Sequence, residues 1–212
     1  MTEPMALSDL ELAALVTSRI CHDVINPVAA ISNGLEMLGE EQDADMRAAA
    51  MDLIRKSATQ ASAKLQFARL AFGAAGSAGA EIDLREAEKI SRDFVEGSGK
   101  HEVVWDGPAA TLSKDKVKAL LNLVALGVVA LPRGGTVRVE IIGTAPEVSF
   151  LVRAKGRAAH LNDQVAALLS GANGAEVDAH SIQPYYARRV AMAAGLNLSA
   201  EGQDEEVILR AS

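Results

Sequence analysis

Two long stretches near the start of the chain repeat apolar residues every three or four positions, the period of an amphipathic helix. In the first, from about Ser8 to Gly39, Leu10, Ala13, Ile20, Val24, Ile31 and Leu38 fall on one stripe. In the second, from Ala44 to Phe72, Ile54, Ala58, Ala61, Leu65, Ala68 and Phe72 do the same. The acidic Glu40-Glu41-Gln42-Asp43 separates them, so the pattern predicts a helical hairpin. Ser8 followed three residues on by Glu11 is a capping box, and Gly39 suits a C-terminal stop. The apolar arc of the first helix is broader than one partner needs. Cys21, Val28 and Leu35 flank its seam, Cys21 as a half-buried flank, and a lone hairpin would leave them wet. A homodimeric four-helix bundle would cover them.

The pattern changes character after Gly73-Ala74-Ala75-Gly76-Ser77-Ala78-Gly79-Ala80, where three glycines among small side chains break the helical period. This places the domain boundary there, with a hairpin over residues 1–75 and a second domain over 76–212. Asp83 to Glu96 reads as a helix, His101 to Trp105 as a short strand and Ser113 to Leu131 as an apolar helix. Thr136 to Ile142 and Val148 to Arg153 alternate apolar and polar residues and pair as a β-hairpin across Gly143-Thr144-Ala145-Pro146. Asn162 to Leu169 and Tyr185 to Ala194 are helical in pattern, with Leu196 to Ala200 and Glu206 to Arg210 as closing strands. The second domain is therefore expected to be a layered α/β unit.

Composition narrows the function classes. A net charge of −7 without any Lys/Arg-rich run argues against a nucleic-acid surface, which needs clustered positive charge. No run of eighteen apolar residues and no signal-peptide pattern is present, so the expectation is a cytoplasmic protein without a membrane span. The single cysteine, Cys21, agrees with a reducing compartment and leaves no zinc site. His101, His160 and His180 lie in no chemical pattern and read as structural or solvent-facing.

His22 is different. It lies in Ser18-Arg19-Ile20-Cys21-His22-Asp23-Val24-Ile25-Asn26-Pro27-Val28-Ala29-Ala30-Ile31. If Leu10, Ile20, Val24 and Ile31 face the core, His22 lies on the wet side, with Arg19 and Asn26 on the same face. An exposed neutral imidazole can attack an aspartyl phosphate in line while the surrounding surface docks the donor. Arg19, Ile25, Ala29 and Ala30 are the candidate docking residues: Ile25 offers an apolar contact, and the two alanines let another protein approach the helix closely. Pro27, inside the helix, removes a backbone hydrogen bond at a cost of roughly 3 kcal/mol.

The order His, acidic residue, Asn four on and Pro five on resembles the phosphoacceptor box of two-component histidine kinases. That resemblance implies His22 as the phosphoacceptor and gives Asp23 and Asn26 auxiliary roles. Asp23 has less weight, because adjacent side chains do not share a helix face squarely. The second domain resembles the ATP-binding domain of the same kinases in its order of elements. Leu121-Asn122-Leu123-Val124 followed by Pro132-Arg133-Gly134-Gly135-Thr136-Val137 looks like the end of that family's asparagine box.

The nucleotide chemistry is missing from the match. The magnesium-binding asparagine would fall on Leu126, which cannot bind a hard cation. The adenine-reading Asp-x-Gly-x-Gly would fall on Ala154-Lys155-Gly156-Arg157-Ala158, without the carboxylate and the second glycine. The phosphate-cradling glycines would fall near Ser181-Ile182-Gln183-Pro184-Tyr185-Tyr186, where a proline removes an amide. The stretch from Arg157 to His180 is also short for an ATP lid. A degenerate domain of the kinase ATPase type, an α/β sandwich without ATP binding, is the expectation.

Across nearly the whole chain this combination resembles the ChpT family of histidine phosphotransferases. The family implies a homodimer that takes a phosphoryl group from the receiver domain of a hybrid kinase of the CckA type. It passes the group to response regulators such as CtrA and CpdR in a bacterial cell-cycle phosphorelay. No cofactor of its own is implied, magnesium being supplied by the receiver. Three other readings stay open on the sequence: a histidine kinase with a divergent ATP site, a receiver-binding adaptor that carries no phosphate, and a phosphatase using Asn26 to orient water.

Overall fold

The computed structural model describes residues 7–40, 43–73, 80–145, 147–172 and 177–212. Most of the linker (74–79), Glu41 and Gln42 between the two helices, and Pro146 of the expected turn lie outside the described residues. The hairpin consists of α1 (Asp9–Glu40) and α2 (Ala44–Ala71). α1 begins at the expected capping box: the Ser8 amide and hydroxyl donate to Glu11 Oε2, and the Glu11 amide donates to Ser8 Oγ. It runs one residue past Gly39, and Arg47 caps its end by donating to Leu38 O at 2.7 Å. Asp43 caps α2 by accepting from the amides of Asp45 and Met46.

The seam differs in part from the sequence expectation. Ile20, Val24, Ile31 and Leu38 lie on the sheltered side of α1, but Leu10 is 82% exposed and Ala13 is open to solvent. The inward stripe is instead Leu12, Val16, Ile20, Asp23, Pro27, Ile31, Gly34 and Leu38. Gly34 is buried because a Cβ there would strike Ile54 across the hairpin. On α2, Ala61 is buried, whereas Ala58 and Leu65 are exposed. In the single chain Cys21, Val28 and Leu35 are all exposed, as a lone hairpin is expected to leave them.

The rest of the chain is an α/β sandwich. Its elements are β1 (Glu81–Asp83), α3 (Leu84–Glu96), β2 (His101–Asp106), β3 (Thr111–Ser113), α4 (Lys114–Val129), β4 (Gly135–Thr144), β5 (Glu147–Lys155), α5 (Asp163–Ser170), α6 (Ile182–Ala193), β6 (Leu198–Gln203) and β7 (Glu206–Ala211). The main sheet has the order β2-β4-β5-β7-β6, parallel between β2 and β4 and antiparallel elsewhere. β1 and β3 form a separate two-stranded ladder, which the sequence reading missed because three-residue strands carry too little alternation to detect. α6 begins before Tyr185, with Pro184 in its first turn, where a missing amide costs no helical bond.

Alternation along β4 and β5 sorts the sheet into two faces. Val137, Val139, Ile141, Phe150 and Val152 point into the core. Arg153 pairs with Glu140 and Glu206 on the wet face. Against the inner face lies α4, whose residues from Ala119 to Gly127 are all buried, as expected of a helix apolar on every side. Gly134 and Gly135 open β4 with φ of +85° and +146°, and a side chain at either would strike the backbone at Lys100 or Lys155. Ala158 also has positive φ, 63°, a conformation that costs a non-glycine residue roughly 1–2 kcal/mol.

Hairpin and sandwich are joined along the last turns of α2. Phe67 is buried and stacks on Phe94 of α3, with ring centroids 3.9 Å apart. The final carbonyls of a helix have no partner within it. Here Asn122, fully buried in α4, donates to Ala71 O at 3.2 Å and accepts from Gln183 Nε2 at 3.3 Å. Tyr186 donates to Phe72 O at 3.3 Å, and burial, helped by the Asp115 carboxylate, holds its phenol above the ordinary value. The asparagine that looks like a remnant of a magnesium box is thus a structural tie. Replacing Asn122 with Leu leaves the Ala71 carbonyl and the Gln183 amide without partners, and is expected to lower unfolding free energy by about 1–3 kcal/mol in urea denaturation.

Candidate functional site

His22 lies in the middle of α1 with its side chain 55% exposed. Helical spacing puts Arg19 one turn before Asp23, and Arg19 Nε donates to Asp23 Oδ2 at 3.0 Å. Asp23 Oδ1 lies 3.7 Å from His22 Nδ1, so the adjacent carboxylate reaches the ring despite the unfavourable spacing. Asn26 is exposed one turn on, as are Ile25, at 61%, and Ala29; Ala30 is half-buried. These residues share one broad face. Arg19 is only 19% exposed and its guanidinium is engaged, which distinguishes it from the open docking residues expected around it.

Pro27 has a local consequence. A helical amide bonds to the carbonyl four residues earlier, so a proline at 27 orphans the carbonyl of Asp23. Lys64 of α2 fills that vacancy, with Nζ donating to Asp23 O at 2.8 Å. The helix therefore continues through Pro27 without an unsatisfied carbonyl beside His22. No local sequence rule pairs Lys64 with this position; what could have pointed to it is a lysine on the facing helix opposite a carbonyl that proline must orphan.

The second feature missed on the sequence is His180. It is exposed, as the sequence leads one to expect, and the structure also sets its ring in a T-shaped arrangement with that of His22, with centroids 5.1 Å apart and planes at 83°. Its carbonyl accepts from Arg19 Nη1 at 3.2 Å. The turn that carries it is tightly bonded: Asp178 Oδ1 accepts from the amides of His180 and Ser181 and from the Ser181 hydroxyl, while Ser181 Oγ accepts from the Asp178 amide. These bonds, those from Ser181 first, hold the Asp178 carboxyl below its ordinary value. Two further contacts lay α6 along the start of α1: the Leu7 amide donates to the Tyr185 hydroxyl at 3.1 Å, and Arg189 faces Asp9 at 3.8 Å.

Behind this turn a cleft of about 340 Å³ opens between α4, α5 and α6, lined among others by Leu126, His160, Asn162, Asp178 and Ser181. Among the described residues no lysine or arginine lines it, and the one charged side chain there is the carboxylate of Asp178. Ile182, Gln183 and Pro184 are buried at the start of α6. Among the described residues no cluster of three metal-ligating side chains occurs, and no helix is long and apolar enough to cross a membrane.

Residues 84–206 match the family model of the histidine phosphotransferase C-terminal domain. The protein phosphotransferase ChpT of Brucella abortus (strain 2308) is 46% identical over 212 residues, with the whole of both chains covered. A solved bacterial phosphotransferase, at 1.7 Å resolution, has 42% sequence identity and a TM-score of 0.89, again over the whole of both chains.

Two outcomes follow from the local geometry. Lys64→Met, which keeps the stem and removes the donor, is expected to cost about 1–2 kcal/mol in chemical denaturation, because the Asp23 carbonyl loses its replacement partner. Asp178 has a lowered folded pKa, so its contribution to stability is fully present above the ordinary value of 3.8 and is lost as pH falls through the lower folded value. The gap in denaturation midpoint between the native protein and Asp178→Asn should therefore be constant near neutrality and close in acid.

Proposed function

The chain belongs to the ChpT family of histidine phosphotransferases, and from that premise we propose that His22 carries the phosphoryl group between receiver domains of a phosphorelay. The observation that carries this reading is an exposed imidazole, in a phosphoacceptor-like sequence, whose Nδ1 faces a carboxylate. That carboxylate favours the tautomer with the proton on Nδ1 and leaves the Nε2 lone pair as nucleophile. Among the described residues Nε2 has no hydrogen-bond partner. Nε2 attacks the phosphorus of a receiver aspartyl phosphate in line; the N–P bond forms as the P–O bond breaks, and the aspartate leaves as carboxylate. Transfer to the next receiver reverses these bonds. Magnesium, bound on the receiver, offsets charge on the transferred oxygens.

Receiver docking is assigned to the face carrying Ile25, Ala29 and Ala30, with Asn26 beside the histidine as an auxiliary group. Arg19 acts through Asp23, by orienting its carboxylate. The donor is a hybrid kinase of the CckA type and the acceptors are regulators of the CtrA and CpdR types. A homodimer is supported by apolar side chains left open on the hairpin, among them Leu10, Val28, Leu35 and Leu65, more than an isolated hairpin ordinarily leaves wet.

The second domain acts as a docking and positioning unit, a kinase-type ATPase fold without ATP binding. Support comes from Leu126 in the cleft, from a described lining that holds no basic residue and from the buried residues at the start of α6. A polyphosphate placed there would meet Asp178 and, among the described residues, no cation.

The test is incubation with magnesium and radiolabelled ATP, with and without an active hybrid kinase. Label should appear on the native protein only when the kinase is present, and never on His22→Ala, which should remain folded and dimeric. Label with ATP alone would make the protein a kinase, and label on His22→Ala would remove the histidine from the role. Receiver dephosphorylation without a labelled intermediate would point to the phosphatase reading.

A further inference from the structure

The turn between α5 and α6 is built around Asp178 and Ser181, and its product is the placement of one side chain, His180, against His22. Among the described residues neither ring nitrogen of His180 has a hydrogen-bond partner. The ring is therefore fastened through its backbone and through its contact with His22, with the Asp178 carboxylate near enough to feel its charge. Its backbone is fixed from two directions: Asp178 holds the amide, and Arg19 holds the carbonyl. Because Arg19 also holds Asp23, which lies against His22 Nδ1, the four residues form a closed circuit of contacts.

An exposed histidine on a helix ordinarily samples several side-chain rotamers, and only some aim Nε2 away from the helix. In-line attack requires the reacting atom to be held near its productive position, and displacements of about 1 Å are costly. Asp23 constrains one edge of the His22 ring, and His180 constrains it from another direction. Edge-to-face packing of two rings has a defined geometry, which suits it to fixing a rotamer.

We propose that His180 is a positioning residue for phosphotransfer, by which the second domain fixes the rotamer of His22 through edge-to-face ring contact. The proposal rests on the assignment of His22 as phosphoacceptor. It gives the sandwich a direct part in the reaction, separate from receiver docking.

The experiment compares native protein, His180→Ala and His180→Phe. Two quantities are read: the single-turnover rate of phosphoryl transfer from a phosphorylated hybrid-kinase receiver at saturating concentration, and the His22 ring-proton resonances in histidine-labelled protein. His180→Ala should transfer about tenfold more slowly with receiver affinity unchanged, and the His22 resonances should move as the ring current of His180 is lost. His180→Phe, which retains an aromatic ring without a titrating nitrogen, should come within about twofold of the native rate. Native-like transfer by His180→Ala, or a phenylalanine variant as slow as the alanine one, overturns the positioning role. If the native protein accepts no label from any receiver, the phosphorelay reading itself fails, and the positioning role falls with it.

Discussion

The last turn of α2 is the joint on which the geometry at His22 depends. Two helix-end carbonyls, those of Ala71 and Phe72, have no partner within their own helix, and both are taken up by side chains from the sandwich. Phe67 on Phe94 adds an apolar stack one turn earlier. These contacts make the hairpin and the sandwich one packed body, so that the start of α6 runs beside α1 and the turn before it arrives at His22. A hairpin joined only by its glycine-rich linker would carry the same histidine without His180 or the Arg19 tie to the second domain.

Much of this architecture was legible in the chain. The hairpin, its capping box and the β4–β5 pairing follow from apolar period and turn residues, signals that act over a few positions. Val137, Val139 and Ile141 can only face a core if they are strand residues. Less visible was anything decided by which elements meet. Leu10 and Leu65 satisfy a helical period yet face solvent in a single chain, since period locates a stripe without saying what covers it. Lys64 and His180 are ordinary residues in their own segments, and they matter only because folding brings them to the backbone of Asp23 and to the ring of His22.

Several positions around the cleft are set by packing and chain routing. Asn122 bonds to a helix end and to Gln183. Ala158 adopts a left-handed backbone although it is not a glycine. The reason is local: the Gly156 amide bonds to Glu205 O, the Ala159 amide to Gly156 O and the His160 amide to Ala130 O, so the corner is imposed by the sheet and by the end of α4. A conformation that ordinarily favours glycine is here a requirement of chain routing.

The bond between Lys64 and α1 ends on a main-chain carbonyl, an atom common to all twenty amino acids. The tie between the two helices beside His22 is therefore indifferent to the side chain at position 23, and the proline, not the aspartate, creates its socket. Position 23 can exchange its acidic group for another without loosening the cross-link, so the reactivity of the neighbouring imidazole and the mechanical integrity of the hairpin are separable properties of one turn of helix.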